Sequence, residues 1–135
     1  MKTIRFILTL ALLFSFPLLH AQKKGKITFD YVTVNIIEGY DHDARLVVYV
    51  DGKKIATSGV HKESERKQFT VKVKRGNHKI RAVVETFYEG EWQEHIFDNE
   101  YSTDSVYEGE LNVKKKQTVT MKMDISTEET KIEVK

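Results

Sequence analysis

Asp41, His42 and Asp43 stand side by side in the polar stretch "EGYDHDA". A second oxygen-rich stretch holds Asp98, Asn99, Glu100 and Asp104. Hard oxygens gathered in loops can hold calcium. Neither stretch has the spacing of an EF-hand loop, and no pair of histidines has zinc spacing. The plainer reading is two solvated polar loops. No cofactor and no metal ligands are expected; a structural protein with a calcium site in these loops is an alternative.

Nucleophilic catalysis finds less support. The chain has no cysteine. Ser58, Ser64, Ser102, Ser105 and Ser126 lack a glycine-elbow context, and His42, His61, His78 and His95 are scattered. A catalytic triad can be assembled from almost any chain, so its mere possibility carries no weight. The expectation is a protein that is not an enzyme.

Aromatic residues are the third candidate. "TFYEGEWQEHIF" puts Phe87, Tyr88, Trp92 and Phe97 on one hairpin, with Tyr101 and Tyr107 close behind. Tyr88, Trp92 and Tyr101 could stack on sugar rings. Large aromatics more often supply buried area, so core packing is expected for this group.

The elements that must position these residues have a period of two. In "RKQFTVKVKRG", Phe69, Val71 and Val73 alternate with polar residues. Ile80, Ala82 and Val84 do so next, then Tyr107, Leu111 and Val113, then Val119, Met121, Met123 and Ile125. This is the pattern of half-buried antiparallel strands. Strands are predicted at 26–37, 44–50, 54–57, 66–74, 78–88, 91–97, 105–113 and 117–125. In the first, the apolar set shifts from Ile27, Phe29 and Tyr31 to Val32, Val34 and Ile36, which predicts a bulge near Tyr31. Asp51-Gly52 predicts a type I′ hairpin turn, and Gly76-Asn77 and Gly90 predict two more. The last residues, 126–135, read equally as a loose tail or a short edge strand. The fold class is all-β: one antiparallel sandwich of about seven or eight strands, immunoglobulin-like or prealbumin-like.

The opening residues have the order of a secretory signal: Lys2 and Arg5, an apolar run from Phe6 to Leu19, then Ala21. The run is shorter than the ~20 apolar residues of a spanning helix. Residues 1–21 are therefore expected to be cleaved, leaving 22–125 as the sandwich domain in the periplasm or outside the cell, with no membrane span. Loss of Lys2 and Arg5 would leave twenty basic residues against twenty acidic ones. A neutral chain has no general pull on nucleic acid, which is not expected as a partner.

The pieces "VYVDGKKIATS", "FTVKVKRGNHKIRAVV" and "KKKQTVTMKMDI" resemble, in order, a PEGA domain over roughly residues 46–125. Asp51, Gly52 and Lys53 match its Asp-Gly-Lys turn; Gly76 and His78 match its Gly-x-His pair. Arg75 stands where that family has proline, the loop "SGVHKESE" lacks its Thr-Pro, and the segment 87–110 is longer than its middle part. The resemblance implies a small extracytoplasmic β-sandwich, an accessory module without catalytic residues.

If successive strands all alternate in direction, loops 38–43, 58–65, 89–91 and 114–116 share one end of the sandwich. The other end then holds 51–54, 75–77 and 98–104. Asp41, His42, Asp43, Glu63 and Glu91 would lie at the first end, which is expected to be the contact surface because its loops are longer. The expected function is binding, most simply to an envelope or extracellular protein. A carbohydrate-binding module using Tyr88, Trp92 and Tyr101 is the alternative.

Overall fold

The computed structural model describes residues 23–135. The expected leader, 1–21, and Gln22 lie outside the described residues. Ten strands form two packed sheets. They are β1 Lys24–Val34, β2 Asp43–Val50, β3 Lys53–Thr57, β4 His61–Lys62 and β5 Lys67–Lys74. Then come β6 Gly76–Tyr88, β7 Glu91–Glu94, β8 Val106–Val113, β9 Lys116–Asp124 and β10 Glu129–Val134. One sheet has the order β10-β9-β1-β5. The other is centred on β2 and β6, with β3 and β4 sharing the free side of β2 and β7 and β8 sharing that of β6.

Alternation builds the core. Ile27, Phe29, Val119, Met121 and Met123 of the first sheet meet Leu46, Val48, Ile80, Ala82 and Val84 of the second. Each of the larger of these side chains contributes about 1.5–3 kcal/mol by leaving water. Val47 and Val83 are also buried, but on the outer face of the second sheet. There Arg45 covers the ring of Trp92 and pairs with Glu85, while Arg81 pairs with Glu94.

Several expectations change. No bulge interrupts β1: its ladders to β5 and β9 run unbroken, and Thr33 rather than Val32 continues the buried face. The irregularity lies instead between Val48 and Tyr49, opposite β3. β1 stops at Val34 because Asn35 turns the chain outward with φ 57°. The tail is an edge strand, β10, paired along β9.

Gly76-Asn77 is not a hairpin. β5 belongs to the first sheet and β6 to the second, so Arg75 carries the chain between layers. Residues 114–115 make the return crossing from β8 to β9. Having crossed at the end where β1 begins, β9 runs parallel to β1, the one exception to the antiparallel plan in the first sheet. At this crossing Gly25 passes so close to β8 that an added Cβ would lie 1.9 Å from the Lys114 carbonyl oxygen.

β7 and β8 are two pieces of one edge strand. Both pair antiparallel with β6, at Glu85–Tyr88 and at Gly76–Val83. Val84, between them, accepts from His95 N–H (2.9 Å) and donates to the Ser105 carbonyl (2.9 Å). Ser105 N–H donates to the His95 carbonyl at 2.8 Å and closes the neck of an excursion over 96–104. A short 3-10 helix, Phe97–Asn99, stands where a longer strand over 91–97 was expected. Because direction does not reverse between β7 and β8, the parity count slips by one. Loop 98–104 therefore turns toward the end that holds 35–42, 58–65 and 89–90. Lys114, Lys115 and Lys116 lie at the opposite end, beside 51–52 and 75. These are the loop end and the turn end below.

Candidate functional site

The loop end holds an open cleft of about 510 Å³. Its floor is assembled by the segment between β4 and β5. This segment spans the gap between layers: Glu63 N–H donates to the His42 carbonyl, and the Glu63 carbonyl accepts from Thr33 N–H. The Glu63 side chain is thereby buried. It accepts a 2.7 Å hydrogen bond from Thr86 Oγ1. Its Oε1 also lies 3.2 Å from Nδ1 of the buried His95, a charge-pair distance without hydrogen-bond geometry. The ring of Tyr101 packs edge-on against His95 at 4.3 Å, and its hydroxyl donates to Gln93 Oε1. Burial raises the Tyr101 phenol above its ordinary pKa, so it stays a neutral donor.

Apolar and aromatic groups form the rim. Ile37 is 65% exposed, Tyr40 60% and Tyr88 40%. His42 sits edge-on between the two tyrosines, 6.3 Å from Tyr40 and 5.3 Å from Tyr88. The negative charge of Glu89 raises the Tyr88 phenol. Glu89 and Glu100 also line the cleft.

The structure brings together His42, Glu63, Tyr88 and Tyr101 of the sequence candidates. Asp41 stands just outside, its carboxylate taken by the amide (3.1 Å) and hydroxyl (2.5 Å) of Ser64. Asp43 pairs with Lys62 at 3.0 Å, which raises the lysine's pKa. Glu91 is exposed at the start of β7 and accepts from Gln93. Trp92 belongs to neither cleft nor core: it lies half-buried on the outer sheet face, against Phe87 and beneath Arg45. The expectation of core packing therefore holds for Tyr107 alone in the aromatic group 87–107; Phe87, Tyr88 and Phe97 are exposed.

Ile37, Gln93 and His95 were not singled out by the sequence reading. Ile37 is masked there by the alternation Val32, Val34, Ile36, which extends the pattern of β1, and His95 by its isolation. The one available signal is Asn35, a residue that tolerates positive φ and breaks the strand ahead of Ile37.

Oxygens of the two polar loops do not converge. Asp41 and Asp43 are engaged as above, and Asp104 accepts from the Phe97 amide. Among the described residues, no group of three His, Cys, Asp or Glu side chains is arranged to hold a metal ion. Among them, too, no helix is long and apolar enough to cross a membrane.

No family model and no curated protein matches the chain. Among solved structures it is similar to one described as "Trapped Toxin", at 17% identity and TM-score 0.42, over 84% of this chain and 24% of that one. It is similar to the human-specific toxin intermedilysin at 15% identity and TM-score 0.41, over 84% and 23% of the two chains. "Sugar Binding Protein Pneumolysin" is matched at 14% identity and TM-score 0.42, again over 84% and 23%. The chain spans about a quarter of the length of these structures.

Proposed function

We propose that this protein is a non-catalytic, extracytoplasmic binding module and that its loop end receives a protein partner. The observation that carries the reading is the rim itself. Ile37, Tyr40 and Tyr88 are large, apolar and exposed at one place. Aromatic anchors of this kind dominate binding energy where proteins meet. Carboxylates surround them, Glu38, Asp41, Glu89, Glu91 and Glu100 all being exposed, so the partner offers cations around an apolar centre. The PEGA resemblance supports an accessory role in the same compartment. Its two quoted motifs touch each other here, since His78 Nδ1–H donates to Asp51 at 2.7 Å.

The test is crosslinking in intact cells followed by recovery of the tagged chain. A stoichiometric protein should accompany it, and Tyr40→Ala with Tyr88→Ala should remove that protein while the fold melts as before. Recovery unchanged by the double substitution overturns the assignment of the surface. A glycan is the second reading, favoured by the amide of Gln93 beside the Tyr101 ring in the cleft. Retention of the native chain, but not of Tyr101→Ala, on immobilised polysaccharide would establish it instead.

A further inference from the structure

The chain is close to neutral as a whole, yet the fold separates its charges. Lys23, Lys24 and Lys26 open β1 at the turn end, and Lys74 and Arg75 close β5 beside them. Lys53 and Lys54 follow the Asp51-Gly52 turn, and Lys79 stands next to it. Lys114, Lys115 and Lys116 carry the crossing into β9. All of these cations are exposed, and none forms an ion pair among the described residues. Of the twenty acidic residues, only Asp51, Glu108 and Glu110 lie in this half; the strand registers place the rest at the middle or toward the loop end. Asp51 is occupied, binding His78 Nδ1–H and the Lys79 amide, and both contacts hold its carboxyl below the ordinary aspartate range.

We propose that the turn end is a docking face for an anionic lipid bilayer. It is independent of the partner proposed for the loop end. Three features select a headgroup surface. The cations are almost all lysine, a hydrated point charge suited to a diffuse layer of phosphates rather than a shaped pocket. Lysine is depleted where proteins meet one another. Among the described residues no aromatic side chain is exposed beside these lysines. Ile55 and Val134 are exposed, but singly, on the edge strands β3 and β10. Nothing there matches the cluster of Ile37, Tyr40 and Tyr88, so neither stacking on bases nor an aromatic protein anchor is offered. The chain also enters the fold here: only Gln22 separates Lys23 from the expected leader, 1–21, with its apolar run 6–19. A bilayer holding that run, even briefly during export, would meet this face first.

The experiment uses the full chain, purified in the form that accumulates in the expressing cell. Its sedimentation is compared between phosphatidylcholine vesicles and vesicles carrying about one-third phosphatidylglycerol. Each lysine near an anionic surface is worth on the order of fivefold in partition. Binding to the anionic vesicles should exceed binding to neutral ones at least tenfold and fall steeply with salt. Joint substitution Lys53→Gln, Lys54→Gln, Lys114→Gln, Lys115→Gln and Lys116→Gln should lower it by on the order of a thousandfold. The same five changed to Arg should restore it, which separates charge from damage to the fold. Equal partition into both vesicles, or glutamine substitutions without effect, overturns the proposal. So does binding to DNA or to a second copy of the chain in place of vesicles.

Discussion

The two ends of the sandwich are built by different means. At the turn end the chain reverses or changes layer in one or two residues: Asp51-Gly52, Arg75 and 114–115. Backbone geometry governs there, helped by the contacts of Asp51 and Gln117, and the lysines are left free in water. At the loop end three long links, 35–42, 58–66 and 95–105, cross the opening. Side chains govern there: Glu63, Thr86, His95 and Tyr101 hold one another, and the backbone follows. The difference predicts where substitutions should hurt. Adding atoms should damage the turn end, and removing polar groups should damage the loop end.

Gly25→Ala is the strongest test of the first half of that statement. The new Cβ would meet the Lys114 carbonyl oxygen at 1.9 Å and Val113 Cγ1 at 2.8 Å. Backbone on both sides must move, breaking the start of β1 or the crossing between sheets. A loss of about 3 kcal/mol is expected in urea denaturation. A loss below about 0.5 kcal/mol, the level of an ordinary surface change, would show that this end yields freely and would break the comparison.

Glu63→Ala tests the second half. It removes the acceptor of the Thr86 hydroxyl and the carboxyl oxygen beside His95, both buried. About 2 kcal/mol should be lost, because buried polar groups then lack partners. Glu89→Ala and Glu91→Ala, exposed on the same rim, should each stay within about 0.5 kcal/mol. Equal losses from all three would mean that Glu63 is no more structural than its exposed neighbours.

How much was readable beforehand follows the same division. The Asp51-Gly52 turn and the main strands β2, β5, β6, β8 and β9 come from short-range patterning, and they stand close to where alternation and turn chemistry put them. Asp51 has φ 52° and Gly52 φ 82°, the left-handed pair that a type I′ turn needs. The cleft was half visible. His42 and Glu63 were placed together at one end, whereas Tyr88 and Tyr101 were named apart from them as sugar-stacking candidates. The arrival of Tyr101 beside the others depends on β7 and β8 sharing a direction along β6. Nothing local signals that, since a strand interrupted by an excursion reads like two strands joined by a turn. The same slip sent Lys114–Lys116 to the wrong end and hid the separation of charge. Layer changes at Arg75 and 114–115 are equally silent, because a crossing and a hairpin use similar residues.

Gly52→Ala sharpens the comparison at the mild end of backbone effects. An alanine at φ 82° is strained, but no atom lies near the added Cβ. About 1 kcal/mol should be lost, well short of Gly25→Ala. If the two cost the same, steric approach is not what distinguishes the crossing from the turn.

The smallest effect concerns a carboxylate that belongs to the loop end but is held as the turns are held. Asp124 closes β9, and its carboxyl is drawn down to about 2 by hydrogen bonds from the Asn35 amide and the Ser126 hydroxyl. A carboxyl depressed in the folded state stabilises the fold at pH values above its unfolded pKa. That contribution fades as pH falls from about 4 through about 2. Asn35→Ala removes the largest cause. The Asp124 titration followed by NMR should then move up toward the ordinary aspartate value. The stability lost should be small, because the group is open to water and screened. It should be present in full above pH about 4 and vanish toward pH about 2, so that stability varies less with pH across that window. An unmoved titration would assign the depression to Ser126 and its neighbouring amides alone. The junction of β1 with β9 would then be fixed by its own turn rather than by a contact between strands.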